Sequence, residues 1–170
     1  DPERPEVYYH KGLALERLHK YDGALAAFDK AIQINNQFPV ALHHRGIALM
    51  HLNKIEEAIA SFDKAVAIQP NFSEALYEKG KALTSSGAYR DAIATFNAAL
   101  SEHPGYVEVI YEKGRTLFES GDSEGAIDAF RQSLEIKPNC YQAFFMIGRV
   151  YFELGRFEDA IQSYNRALEI

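Results

Sequence analysis

Glycine returns every 34 residues at Gly12, Gly46, Gly80, Gly114 and Gly148, with no insertion breaking the series. Ala24, Ala58, Ala92, Ala126 and Ala160 keep the same step, as do the rings Phe28, Phe62, Phe96, Phe130 and Tyr164. Longer stretches repeat as well. Tyr77-Glu78-Lys79-Gly80-Lys81-Ala82-Leu83 comes back as Tyr111-Glu112-Lys113-Gly114-Arg115-Thr116-Leu117. A fixed period of roughly 20–50 residues denotes stacked supersecondary units, none of which can bury its apolar face alone. Residues 5–38, 39–72, 73–106, 107–140 and 141–170 are then five units, the last one shortened. Residues 1–170 are expected to form a single array in which each unit touches its neighbours.

Within each unit, two stretches carry the apolar spacing of amphipathic helices. In the third unit this predicts helices from about Glu74 to Ser86 and from Tyr89 to Glu102. Gly87, Gly121 and Gly155 separate the two stretches in three units, and His19 and Asn53 take that place in the first two. These residue types tolerate the left-handed backbone that ends a helix before a tight turn. So short a connection forces the helices antiparallel. Gly80 and Ala92 lack bulk, which lets two backbones approach while Phe96 fills the groove beside them and Ala99 leaves room for the next unit. Pro70, Pro104 and Pro138 stop each second helix. Asn36 holds that place in the first unit, where a less firmly stopped exit is expected. The pattern predicts an all-α solenoid.

Composition removes several function classes. Apolar residues make up 47% and charged residues 25%, which argues for a folded chain. The net charge of −6 and the scattered Lys and Arg give no footprint for nucleic acid. No apolar run approaches the ~18 residues of a membrane span. The chain opens at Asp1 with neither an initiator methionine nor a leader, so it reads as an excised segment. One cysteine, Cys140, is compatible with a reducing compartment, and a cytoplasmic location is the expectation. Gly-rich phosphate loops, Ser-His-Asp arrangements and paired carboxylate pockets are missing, so neither an enzyme nor a cofactor is expected. His10 and His44 stand at equivalent positions near His43 and His51. They read as surface or packing histidines rather than metal ligands, with a pH-sensitive binding surface as the alternative.

The 34-residue step with Leu76, Gly80, Leu83, Ala92, Phe96, Ala99 and Pro104 resembles the tetratricopeptide repeat family over residues 5–170. Leu42, Leu76 and Ile110 depart from the family's large aromatic at the fourth position of the repeat, which Tyr8 and Phe144 keep. The resemblance implies a right-handed superhelical solenoid of antiparallel helix pairs in five 34-residue repeats. It also implies that first helices line a concave groove holding a peptide or partner segment. By position, two ladders would face that groove: the rings Tyr9, His43, Tyr77, Tyr111 and Phe145, and beside them Leu13, Ile47, Lys81, Arg115 and Arg149. Phe118 and Phe152 join them.

Aromatic and Arg side chains dominate binding hot spots, which makes these ladders the candidate partner site. The plainer reading is that the rings cover their own helices and that Glu119 and Glu153 neutralise Arg115 and Arg149. Lys81 is then the stronger candidate, with Ser85 at the matching place and Glu78 in reach. The Lys and Asn with which some family members clamp a chaperone's C-terminal carboxylate are not reproduced at these positions. Three readings of function remain. The first is a non-catalytic interaction module for a protein or peptide with acidic or carboxylate-bearing character. A spacer or self-association arm is the second, using the apolar surface of Phe157, Ile161, Tyr164 and Leu168 in the last unit. The third is a segment presenting substrates to a catalytic domain elsewhere.

Overall fold

Each half of the period folds as one helix. The computed structural model describes residues 4–170, so the first three residues of the expected array lie outside the described residues. Ten helices follow one another among the described residues. The first helices of the repeats are α1 (Pro5–Arg17), α3 (Pro39–His51), α5 (Ser73–Ser85), α7 (Val107–Glu119) and α9 (Tyr141–Glu153). The second helices are α2 (Tyr21–Ile34), α4 (Ile55–Ile68), α6 (Tyr89–Glu102), α8 (Ser123–Ile136) and α10 (Phe157–Leu168). Packing gathers them into two compact units, one running to Ala88 and the other from Tyr89 to Ile170.

The residues between paired helices adopt the conformation their chemistry allows. φ is +77° at Gly87, +91° at Gly121 and +72° at Gly155, and it is +55° at His19 and +58° at Asn53. The amide that follows returns to a carbonyl five residues back, closing the helix end. Lys20 donates to Leu15, Lys54 to Leu49, Ala88 to Leu83, Asp122 to Leu117 and Arg156 to Tyr151, each at 2.9 Å. This is the Schellman pattern, which satisfies carbonyls the helix would otherwise strand.

In the unit that runs to Ala88, Phe28 and Phe62 are fully buried, packed with Ala24 and Ala48 in one cluster and with Leu49, Ala58 and Ala82 in the next. In the other unit Phe130 is fully buried among Ala126, Ala143, Ile147 and Val150. Each such ring contributes about 1.5–3 kcal/mol by leaving water. Glycine makes room for it. A Cβ on Gly12 or Gly46 would collide with the ring of Phe28 or Phe62, and one on Gly114 would lie 2.8 Å from Phe130 Cε1. Tyr164 occupies the matching seat against Gly148. The glycine therefore seats the facing aromatic, a more specific role than easing two backbones together.

The expectation of a looser exit at Asn36 is corrected. α2 ends at Ile34 and α4 at the equivalent Ile68, so the helix before Asn36 is as long as the one before Pro70. Asn35 supplies a stop of its own, its Oδ1 accepting the Gln37 amide at 3.0 Å. Such Asx turns compete with helix continuation.

Two substitutions probe these constraints. Gly114→Ala should cost about 1–3 kcal/mol, because the Phe130 ring must shift, and Phe130→Leu should recover part of the loss in thermal melts. Asn53→Gly should raise stability by up to about 1 kcal/mol through relief at a positive φ.

Candidate functional site

The first helices of the unit ending at Ala88 present Tyr9, Leu13, His43, Ile47, Tyr77 and Lys81. Their side chains are mostly occupied with packing. Tyr9 is half-buried, its ring 5.2 Å from Phe38, 5.7 Å from His44 and 6.1 Å from Phe28. Burial, with the nearby Glu16 carboxylate second, raises its phenol above the ordinary tyrosine value. Leu13 leans on the Phe28 cluster and Ile47 on the Phe62 cluster.

His43 is 8% exposed, with rings of His44 and Phe72 each at 5.1 Å and Phe62 at 5.9 Å. Its Nδ1 is buried without a hydrogen-bond partner. Desolvation, reinforced by His44 and partly opposed by Glu16, pushes its pKa down to about 4. This position in the ring ladder faces the interior and is withdrawn from any ligand. Lys81 lies 4.9 Å from the centre of the Tyr77 ring and donates to both carboxylate oxygens of Glu78, at 2.9 and 3.1 Å.

In the unit from Tyr89 the two ladders diverge. Tyr111 is half-buried, 5.4 Å from Phe130, and burial foremost raises its phenol. Arg115 is held at both ends, by Glu112 at 3.1 Å and Glu119 at 3.5 Å. Phe145 and Phe152 are 47% and 57% exposed. They share one face of α9 with Arg149, being four and three residues from it. The guanidinium of Arg149 lies 5.5 Å from the Phe118 ring and near Met146 Sδ at 4.0 Å. No ion pair joins it to Glu153, because the flat cation rests on the aromatic of the neighbouring first helix instead. Lys81 and Arg115 are thus bound by carboxylates of their own helices, and Arg149 is not.

Other expected features have plain placements. His44 Nδ1 contacts Glu16 at 3.1 Å, and His51 stacks on Tyr21 with centroids 4.1 Å apart. Among the described residues no group of three or more His, Cys, Asp or Glu is gathered to hold a metal ion. Cys140 is half-buried, its thiol 3.4 Å from Gln142 Oε1. No helix among the described residues is long and apolar enough to cross a membrane. Sequence reasoning missed the ion pairs Asp29–Arg45 and Asp63–Lys79, both 2.6 Å, which join successive repeats. Their signal was present as the same opposite charges one period apart.

Models of the tetratricopeptide repeat match residues 5–38, 43–107 and 111–170. The chain belongs to the tetratricopeptide repeat family. Among solved structures, MamA is 25% identical with a TM-score of 0.88, covering 97% of this chain and 90% of its own. MamA from Desulfovibrio magneticus RS-1 is 21% identical with a TM-score of 0.90, covering 97% and 93%. YrrB, a tetratricopeptide protein described as having an unusual peptide-binding site, is 21% identical with a TM-score of 0.81, covering 99% and 87%. The last two likenesses establish the fold, an all-α superhelical repeat. No match is found among curated proteins. Within this tetratricopeptide chain, the exposed rings and an arginine without a carboxylate partner coincide on α9.

Burial of His43 gives a pH prediction. Its folded pKa lies below the unfolded value near 6.5, so the unfolded chain binds more protons between the two. Its contribution is fully present above about pH 6.5 and is lost as pH falls towards 4, a change of order 2–3 kcal/mol. His43→Phe should flatten the loss of Tm between pH 6.5 and 4.5. An unchanged slope would place the pH dependence in other groups.

Proposed function

We propose that this chain is a non-catalytic protein-interaction module whose partner segment lies on the first-helix face of α7 and α9. The observation that carries the reading is Arg149. It is exposed, lacks a carboxylate partner, rests on Phe118, and shares its helix face with exposed Phe145 and Phe152. Large rings beside an arginine form the composition of a binding hot spot, since they bury much area for little lost entropy. The cation selects an acidic side chain or a terminal carboxylate, which can accept a bidentate pair of hydrogen bonds. Membership of a repeat family with peptide-binding members supports the same reading. YrrB supplies a named example in its peptide-binding site.

A second reading, self-association, is favoured by the other exposed surface. Phe157, Ile161 and Leu168 on α10 are 52%, 59% and 84% exposed, whereas Tyr164 of the same helix is drawn in against Gly148. Light scattering across a concentration series, on wild type and on Ile161→Lys with Leu168→Lys, separates this reading from the first. A concentration-dependent dimer lost in the double variant supports self-association.

Peptide arrays that vary C-terminal and internal acidic residues test the main proposal. Arg149→Glu should weaken captured peptides by roughly 30-fold, the scale of a hot-spot arginine. Arg115→Glu should matter less, because Glu112 and Glu119 already occupy that cation. Equal capture by wild type and Arg149→Glu would remove this face as the site.

A further inference from the structure

The seams where a second helix meets the following first helix differ in charge along the chain. In the unit ending at Ala88, Asp29 pairs with Arg45 and Asp63 with Lys79, each at 2.6 Å, so opposite charges close the seam. At the seam between α8 and α9 both partners change. Arg131 stands one period after Asn97 and two after Asp63, and Ile147 stands where Arg45, Lys79 and Lys113 stood. The acid has become a base and its counter-charge has become apolar. Arg131 turns instead to Tyr151, donating from Nη2 to the phenol oxygen at 2.9 Å. Tyr151 replaces a leucine found at Leu15, Leu49, Leu83 and Leu117.

Around this change lies a cavity of about 400 Å³ between α8 and α10, floored by α9. Arg131, Arg156 and Arg166 line it against one carboxylate, Asp159. Arg156 sits 4.5 Å from the centre of the Tyr151 ring, and Arg166 sits 5.8 Å from that of Phe144. The cavity is thus positive in a chain whose net charge is −6. Two of these cations already carry a carboxylate, which an incoming acidic segment must displace. Arg156–Asp159 and Arg166–Glu169, at 2.8 and 2.7 Å, are exposed pairs at the two ends of α10, whereas Arg131 is held by the Tyr151 hydroxyl. Tyr151 is buried, accepts from Arg131, and keeps its own hydroxyl proton to donate.

The spacing of the cations identifies the ligand class. Arg156 and Arg166 are ten residues apart along the α10 end of the chain, or about 15 Å of helical rise. One phosphate or one carboxylate is a poor match for three cations rooted on two helices and at opposite ends of one of them. An extended peptide covers it in about four to five residues, with alternate side chains on one face. We propose that the cavity between α8 and α10 is a second docking site, for an extended acidic segment of a partner protein. Its carboxylates pair with Arg131, Arg156 and Arg166 while its backbone lies over Tyr151 and Phe144. This site is on the second-helix side and does not use Arg149.

The test is fluorescence anisotropy on the whole chain at low salt, with a fluorescein-labelled octapeptide of alternating Glu and Gly. The matching Gln-Gly peptide is the control. The Glu peptide should bind and the Gln peptide should not. Arg131→Gln combined with Arg156→Gln should weaken binding at least about tenfold, from the loss of charge-assisted bonds. Tyr151→Phe should weaken it less, and both losses should persist in an Arg149→Glu background, which removes the first-helix face as a competing site. These arginines are exposed, and unaltered melting curves would show that the variants fold. No binding up to millimolar peptide would overturn the proposal, and so would loss of all binding in the Arg149→Glu background, which assigns the peptide to the first-helix face. Equal competition by inorganic phosphate or by an oligothymidine strand would also overturn it.

Discussion

A flat aromatic side chain lying on a helix that has no Cβ at the point of contact is the interaction on which the rest of this structure depends. Gly12 receives Phe28, Gly46 receives Phe62, Gly114 receives Phe130, and Gly148 receives Tyr164. Each contact fixes the separation of two paired helices and the register in which they meet. Once that pair is set, the alanines beside the ring face the following first helix, where they pack with no side chain to spare. A repeat of this kind carries its energy in local pairs and nearest neighbours. Conservation of the step at 34 residues then follows from geometry, because one inserted residue would rotate the glycine away from its ring by about 100°.

That frame frees the remaining positions to differ. In the unit ending at Ala88, the groove-side ladder is largely spent on packing, with His43 interior and Lys81 tied to Glu78. In the unit from Tyr89, aromatic surface and guanidinium groups emerge together. Arg149 rests on Phe118, and Arg156 rests on Tyr151. The physical reason is substitution at fixed seats. Where the first repeats place an acid and a base that cancel, the fourth places Arg131 and the fifth Ile147, and Arg131 bonds the Tyr151 hydroxyl instead.

Much of the fold was legible because its signals are local and recur. The period located the helices to within a residue, and the left-handed turns at His19 and Asn53 followed from residue type. Exit from α2 was misjudged because proline was treated as the necessary stop, whereas Asn35 closes the turn through its own side chain. The site was less legible. Ladder positions were assigned by repeat phase, which gives the face of a helix but not the depth at which a side chain settles. His43 and Tyr111 share a phase with Phe145, yet the first is buried, the second half-buried and the third exposed. Partner choice for a cation is equally hidden, since Arg115 and Arg149 have the same sequence relation to a glutamate four residues on.

By itself, then, the sequence determined the period, the helix pairs, the turn conformations and the seats of the large rings. All of these follow from short-range sterics and the alternation of small and bulky residues. Tertiary structure decided which members of an equivalent series reach solvent, which charges are cancelled, and that Arg149 and Arg131 rest on an aromatic ring or hydroxyl rather than a carboxylate. Those outcomes depend on the neighbouring helix, whose Phe118 or Tyr151 offers an aromatic ring or hydroxyl that competes with a nearby carboxylate. Competition of that kind is settled by distances across the packed interface, and a linear pattern does not contain them.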